Sequence, residues 1–554
     1  AERMPLIMAR GELQTPWVEG ASYKHLENFG WVKFDLLGLE TLRIIERTIE
    51  LILKRKHKYK SVVFDDIKDW FDENMANGKI DFDDQEVYKN IYHAGRWAGI
   101  FQCTQMGAQK LFKKAQPKSI VDIATLTSIY RPGPLGANVD KLYLRNKKDY
   151  SPQYKHPLIE EILKETFGCI IFQEQVMELA NRVAGIPKAE CNAVRKMMKP
   201  QGSSKDALAK AKALEDRFVG GCIENGVSRS VAKKLFDDIM KFAAYGFNKS
   251  HAVAYAIDSY YCAWLMTHYE EEWLCAYLES MEGNPDKRGK AFAEVQALGY
   301  EIVPIDINYA EKNWTILPGK KFMPSFSSCK GIGDTAIDEI IENRPYKSVW
   351  NMFYDDNGKW KLSKFNKRAV DSLIRIKALE SMNVIGEGKM FESYKHMHES
   401  IIPNWLKIRK SLKKNPLAGQ EFLKEAIEEN VGCGSWNRKE IINNDMDLLG
   451  SVSVDKIVPE QFIKRFNEDN ISPIDEYNGK RSYWFIVVKV MPRTTRTQKK
   501  YLRCQVMGSN GKLEWMNVWS WDGETTIEPY TVCAAELSEN SFGKSARWWR
   551  FEIF

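Results

Sequence analysis

YGFNKSHAVAYAIDSYYCAWLMTHY, residues 245–269, is the stretch from which the architecture of this 554-residue chain is best read. Val253, Ile257, Tyr260 and Trp264 recur at helical spacing, so the string predicts a helix running to about Tyr269 with those residues as its buried stripe. Asn248 or Ser250 caps it, because a short oxygen-bearing side chain there accepts one of the helix's unsatisfied N–H groups. The remaining N–H groups and the positive end of the helix dipole attract phosphate, and Lys249 adds a formal charge. A long helix opened by a polar, basic turn is therefore both a scaffold element and a candidate anion contact.

Upstream of it, from about Asp65, the sequence is mostly helical, broken by Pro and Gly turns such as RPGPLG (131–136), KHPL (155–158) and PQGSS (200–204). Still nearer the start, WVKFDLL (31–37) reads as a strand, followed by a helix with Leu42, Ile45, Ile49 and Ile52 at helical spacing. Downstream, a composition shift at Gly283-Asn284-Pro285 opens a mixed region to about Asn383 that contains KGIGDTAIDEII (330–341), a string of helix-hairpin-helix character. Charged helical pattern follows to about Gln461. From Ser482 five short runs rich in Val, Ile, Tyr and Trp replace it, which suggests an OB barrel.

A chain of this length exceeds one hydrophobic core, so several domains are expected. Hydrophobic residues make up 44% and charged residues 28%, and no apolar run approaches the ~18 residues that cross a bilayer, so no membrane association is expected. The ten cysteines form no C-x-x-C pair, which argues against a zinc site or a disulfide framework and fits a reducing, cytoplasmic setting. Net charge is only +7, so charge placement rather than total must indicate partners. The first residue is Ala1, not Met, and missing upstream sequence is expected.

Several strings stand together in one order: VKFDLLGLETL (32–42), GIFQCTQMG (99–107), IYRPGPLG (129–136), HPLIEEILKETFGCIIFQEQVMELA (156–180), YGFNKSHAVAYA (245–256), KGIGDTAI (330–337) and NKRAVDSLI (366–374). In that order they resemble the C-family DNA polymerases, the bacterial DNA polymerase III α subunits. The resemblance spans nearly the whole chain and implies a multidomain α+β fold. Its parts would be the C-terminal portion of a Pol β-like palm over 1–45, large helical fingers over 46–284 and a helix-hairpin-helix, clamp-binding region over 285–385. A helical linker over 386–470 and an OB-fold β-barrel over 471–554 would follow. Two family features, an upstream P-D-x-D-x-D string and the N-terminal phosphoesterase-like domain, are not found in these residues.

The implied activity is DNA-directed DNA polymerisation, adding deoxynucleotides to a primer 3′ end by two-metal-ion nucleotidyl transfer. Asp35, between Phe34 and Leu36, resembles the family's third catalytic aspartate, and a metal ion would offset the cost of burying its charge. Lys33, on the same strand face, resembles the lysine that meets the primer phosphate or catalytic charge. One carboxylate does not hold two Mg2+ ions, so the resemblance implies a split enzyme whose other two aspartates lie on an upstream polymerase half. The alternative is a noncatalytic DNA-binding scaffold derived from such a polymerase. Asp81, Asp83 and Asp84 read as solvated turn residues rather than metal ligands.

By the same resemblance Arg195 and Lys196 face the incoming dNTP triphosphate, together with Asn248, Lys249, Ser250 and His251. Tyr245, Gly246 and Phe247 shape the base pocket or pack in the core. Arg131, ahead of a rigid Pro-Gly-Pro turn, faces phosphate or braces the fold. Gln173 and Glu174 carry a structural hydrogen-bond role or a site role. Lys330, Gly331 and Gly333 would grip primer-template DNA through backbone amides. Arg493, Arg496, Lys499 and Lys500 crowd the first inter-strand loop of the barrel beside Tyr501, Trp515 and Trp519, a pairing suited to single-stranded template, although some of these tryptophans fill the barrel instead. A sliding clamp is the further partner implied, with Gln420-Glu421-Phe422-Leu423 as the nearest peptide to its usual contact, although ordinary helix is the better account of that peptide. The setting implied is the cytoplasm of a bacterial or phage-infected cell.

Overall fold

A computed structural model describes residues 6–9, 11–15, 38–76, 78–149, 154, 156–191, 205–243, 246–354, 357, 364, 366–450, 452, 454–479, 482–495, 497–509, 513–540 and 543–554. Two compact units divide the chain at Leu42. In the first, β1 (Ile7–Ala9) and β2 (Glu12–Gln14) form an antiparallel hairpin. The strand expected at 31–37 lies outside the described residues.

The second unit opens with a helical body built on two cores. α1 (Glu40–Arg55) buries Ile45, Ile49 and Ile52 as its spacing predicted, whereas Leu42 is exposed. It joins α2 (Ile120–Ile129) in the larger core. A satellite core gathers α3 (Gln173–Glu178), α4 (Lys205–Glu224) and α5 (Arg229–Ala243) with Tyr154 and Ile159. The chain then returns to the larger core through α6 (Lys249–His268), α7 (Glu270–Ser280) and α8 (Pro285–Ala297). α6 is the helix that the sequence predicted, but its most buried face differs. Ala252, Ala256, Ser259, Ala263 and Met266 are buried with Tyr260, while Val253, Ile257 and Trp264 are half-buried. Small residues let α2 approach closely, so packing, not hydropathy, selected the face.

Two acidic groups of α7 in this body are paired with arginines of α1. Glu272 of α7 is 2% exposed and meets the Arg55 guanidinium of α1. Arg47 reaches Glu279 at 3.2 Å. Asp81, Asp83 and Asp84 form a turn in which Asp84 accepts the Glu86 amide and Asp81 accepts the Asp83 amide, as expected of turn residues.

β3 (Glu301–Ile302), β4 (Thr315–Leu317) and β5 (Lys321–Met323) make a small sheet with β5 central. After it, the Lys330–Gly333 turn leads into α9 (Asp334–Glu342), and α10 (Lys367–Arg375) follows. Gly331 has φ +99°, and a Cβ there would stand 2.4 Å from Ser372 Oγ, so only glycine fits. The segment read as a linker is packed rather than strung out. α11 (Tyr394–Ile401), α12 (Trp405–Lys414) and α13 (Pro416–Glu428) share one core with α9 and α10. The Gln420–Leu423 peptide is mid-helix in α13 with Leu423 buried.

α14 (Arg438–Leu449) ends where three parts of the unit meet. Its Leu448 carbonyl accepts the Lys330 amide at 2.8 Å, and its Leu449 carbonyl accepts the buried Arg288 guanidinium of α8. Its Ile442 packs with Trp484, Ile486 and Val532 on the outside of the barrel.

The barrel comprises β6 (Ser482–Thr494), β7 (Lys500–Met507), β8 (Leu513–Trp519), β9 (Thr531–Asn540) and β10 (Gly543–Ile553). The strands pair in the order β9-β10-β8-β7-β6, and β6 closes onto β9, with β8 and β10 parallel. That closed five-strand path is the OB topology expected from the sequence. Phe485, Val487, Leu502, Cys504, Val506, Met516 and Val518 fill the interior. All ten cysteines are free thiols, and no described helix is long and apolar enough to cross a membrane.

Two predictions follow from this packing. A Cβ on Gly221 would stand 2.0 Å from the Ala184 carbonyl oxygen, a backbone atom that moves only with its segment. Gly221→Ala should cost about 1–3 kcal/mol of stability, read as a lowered melting temperature. Asp371 of α10 is half-buried, which raises its pKa, but the His398 Nε2 contact at 2.9 Å and Arg375 outweigh burial and hold it below the usual carboxylate range. A depressed carboxylate contributes stability above its unfolded value of about 4 and loses it as pH falls through the folded value. Melting temperature should therefore drop below about pH 4, and Asp371→Asn should flatten that acid limb.

Candidate functional site

Four separated segments converge at the start of α6. Phe172 and Phe247 form a parallel bridge in which Phe247 N donates to Ile171 O at 3.3 Å and Gln173 N donates to Phe247 O at 2.9 Å. Gln173 Nε2 adds a bond to Gly246 O at 2.6 Å. Behind this bridge Gln175 is buried, and its Oε1 accepts the amides of Ile171 at 2.9 Å and Phe172 at 3.0 Å. Its Nε2 donates to Thr166 Oγ1 at 2.8 Å. A buried amide without an acceptor would cost about 1–3 kcal/mol, so one side chain fixes the path of residues 171–173 and, through them, of 246–247. Gln175 did not stand out in the sequence, although its place three residues after Phe172 is a reach-back spacing that a helix start permits.

Asn248 is the N-cap, its Oδ1 accepting the His251 amide at 2.9 Å and the Ser250 hydroxyl at 2.6 Å. Phe247 and His251 then project onto one side of α6. The Arg131 guanidinium carbon lies 3.9 Å from the Phe247 ring centre. Phe247 and His251 are 5.4 Å apart, His251 and Tyr255 4.2 Å, and Tyr255 and Phe101 5.2 Å. The result is a ladder of Arg131, Phe247, His251, Tyr255 and Phe101 in which Arg131 and His251 are exposed and the others half-buried. Planar faces and a guanidinium in one row make a stacking surface with a cationic end.

Lys249 points elsewhere. Its Nζ donates to both oxygens of Glu165, at 2.7 and 2.8 Å. Its amide donates to Glu174 Oε2 at 2.8 Å, and Asn248 Nδ2 donates to Glu174 Oε1 at 2.8 Å. The site expected from sequence is thus assembled in part: Arg131, Phe247, Asn248, Ser250 and His251 come together, and Lys249 lies beside them in an ion pair. Asp35, Lys33, Arg195, Lys196, Tyr245 and Arg496 lie outside the described residues. The described residues contain no group of three or more His, Cys, Asp or Glu that would hold a metal ion.

Two further surfaces belong to the downstream modules. Lys330 and Gly333 are exposed on the turn before α9, and Ser372 Oγ ties that turn to α10 by donating to Lys330 O at 2.7 Å. On the barrel, alternation along β7 and β8 sends Tyr501, Arg503, Trp515 and Trp519 outward, since their neighbours fill the interior. Tyr501 and Trp519 stack at 4.6 Å, Arg503 lies 5.0 Å from the Trp515 ring centre, and Arg547 lies 5.3 Å from that of Trp549. Trp515 is 40% and Trp549 64% exposed. Arg493, Lys499 and Lys500 are exposed at the adjoining end of β6 and β7.

Residues 41–226 match the family model for the bacterial DNA polymerase III alpha subunit finger domain, and residues 299–385 match a helix-hairpin-helix motif. The DNA polymerase III subunit alpha of Aquifex aeolicus is 33% identical over 69% of this chain and 31% of that protein. The Chlamydia trachomatis protein of that name is 29% identical over 96% of this chain and 42% of its own length, and the Pseudomonas aeruginosa protein is 29% identical over 82% and 38%. The chain spans about a third to two-fifths of the length of these curated relatives. With the helical finger body, the helix-hairpin-helix turn and the closed barrel in this sequence order, the chain is of the bacterial DNA polymerase III α-subunit type.

Proposed function

We propose that this chain works in template-directed DNA synthesis as the fingers, duplex-gripping and OB parts of a polymerase that extends a primer 3′ end with deoxynucleotides. In this reading the family's D-x-D pair, which is not among these residues, completes the catalytic centre. The observation that carries it is the ladder at the start of α6, where distant segments of the finger domain meet in one surface. Phe247, His251 and Tyr255 offer flat faces to a nascent base pair, and Arg131 offers its charge to the phosphate beside it. Asn248, Ser250, Lys249, Arg195 and Lys196 receive the triphosphate, whose charge must be offset as the leaving group departs.

Asp35 would join the two aspartates of the family's D-x-D string in holding Mg2+. Two bound ions would lower the pKa of the primer hydroxyl and brace the leaving group. Lys33 would meet the primer phosphate. Lys330, Gly331 and Gly333 hold duplex DNA by its backbone without reading bases. The outward aromatics of the barrel, with Arg493, Arg496, Lys499 and Lys500, stack and neutralise the single-stranded template. A sliding clamp is the remaining partner.

The test is primer extension by the chain co-expressed with a D-x-D-bearing polypeptide. Synthesis should appear only with both, and Asp35→Ala should abolish it. DNA binding with no synthesis in that mixture would favour the noncatalytic scaffold instead. For the barrel, Trp515→Ala should weaken single-stranded DNA binding by about tenfold, measured by fluorescence anisotropy at fixed salt, since base stacking contributes about 1–3 kcal/mol.

A further inference from the structure

The start of α6 is already filled by anions that belong to the chain. Glu174 takes the Lys249 amide and the Asn248 side chain, and Glu165 takes the Lys249 ammonium with both oxygens. Two carboxylates therefore make the charge-assisted bonds that phosphate oxygens would make. They differ in what else they do. Glu174 holds a backbone amide and the capping residue, so it also shapes the turn. Glu165, among the described residues, bonds Lys249 and nothing else. It sits on a short helical turn, Lys164–Thr166.

The Lys249–Glu165 pair lines an open cleft of about 830 Å³ that also carries Lys118, Lys147, Lys164 and Arg182. Lys147 is paired with Asp122 and Arg182 with Glu161, each at 2.8 Å. The side chains of Lys249 and Glu165 are 34% and 33% exposed, so a solute reaches them. Ion pairs of that exposure are weak and exchange readily.

We infer that Glu165 is a resident counter-anion that competes with the nucleotide's phosphates for Lys249 and so sets the affinity of this site for nucleoside triphosphates. The inference rests on the reading of Lys249 as a triphosphate contact and deepens it. No covalent bond changes. One ion pair is exchanged for another, the freed Glu165 carboxylate turning to solvent in the cleft as phosphate takes the ammonium. A brace and a competitor differ in sign: loss of a brace loosens the lysine and weakens phosphate binding, whereas loss of a competitor strengthens it.

Equilibrium binding of inorganic triphosphate and of a deoxynucleoside triphosphate to the full chain, by calorimetry at low salt, separates the two. Glu165→Gln should bind both about two- to fivefold more tightly than the unaltered chain, the factor expected from removing an exposed pair. Lys249→Ala should bind them more weakly. Equal or weaker binding by Glu165→Gln at an unchanged melting temperature, with Lys249→Ala still impaired, overturns the counter-anion while leaving the nucleotide site intact. Unimpaired binding by Lys249→Ala, or no binding by any of the three proteins, overturns both. Should Glu165→Gln fail to fold, Glu165→Asp withdraws the carboxylate by one methylene with its charge kept. An intermediate gain in affinity is then expected, and no gain refutes the competitor role.

Discussion

Two backbone amides, of Ile171 and Phe172, are buried beyond the reach of water and must find acceptors inside the protein. Gln175 supplies both from one oxygen, while Thr166 holds its amide nitrogen. Because Phe172 bridges to Phe247, the same glutamine fixes the residue just before the N-cap of α6, and with it the place of the N-cap, of His251 and of the guanidinium over Phe247. The ladder is thus positioned by satisfied hydrogen bonds and not by apolar packing alone. That distinction matters for a surface that is half exposed, since burial stabilises such faces little.

Elements whose pattern is local were legible in the sequence. α6 is placed by its cap and its apolar spacing, and the five barrel strands by short runs rich in Val, Ile, Tyr and Trp. The resemblance singles out Arg131, Asn248, Ser250 and His251, and the structure brings them to one place. What escaped was set by partners far away in the chain. The buried face of α6 follows from how closely α2 approaches, which the hydropathy of Val253 or Trp264 does not encode. The commitment of Lys249 to Glu165 depends on a residue 84 positions earlier, and a lysine next to an N-cap looks the same in sequence whether it is free or paired. The barrel tryptophans were ambiguous for a related reason: the sequence shows alternation but not which phase faces inward until the register with β7 is known.

Charge placement carries more information than the net value. A balance of +7 is compatible with many roles, yet cations gather at three surfaces: the cleft beside α6, the turn before α9 and the open end of β6 and β7. In the cleft most of them stand against carboxylates, whereas on the barrel Arg503 and Arg547 stand against aromatic rings. The first arrangement favours exchange with a multiply charged small molecule, and the second favours lasting contact with flat, singly charged units of a strand.

The last turn of α14 is held at its two final carbonyls by the Lys330 turn and by Arg288, and its flank lies against the barrel wall. That helix consequently acts as a ruler. It keeps the hairpin that would clasp a double helix at a set distance from the aromatic face that would hold an unpaired one. Shortening or lengthening the segment around it would change that interval while leaving both surfaces as they are.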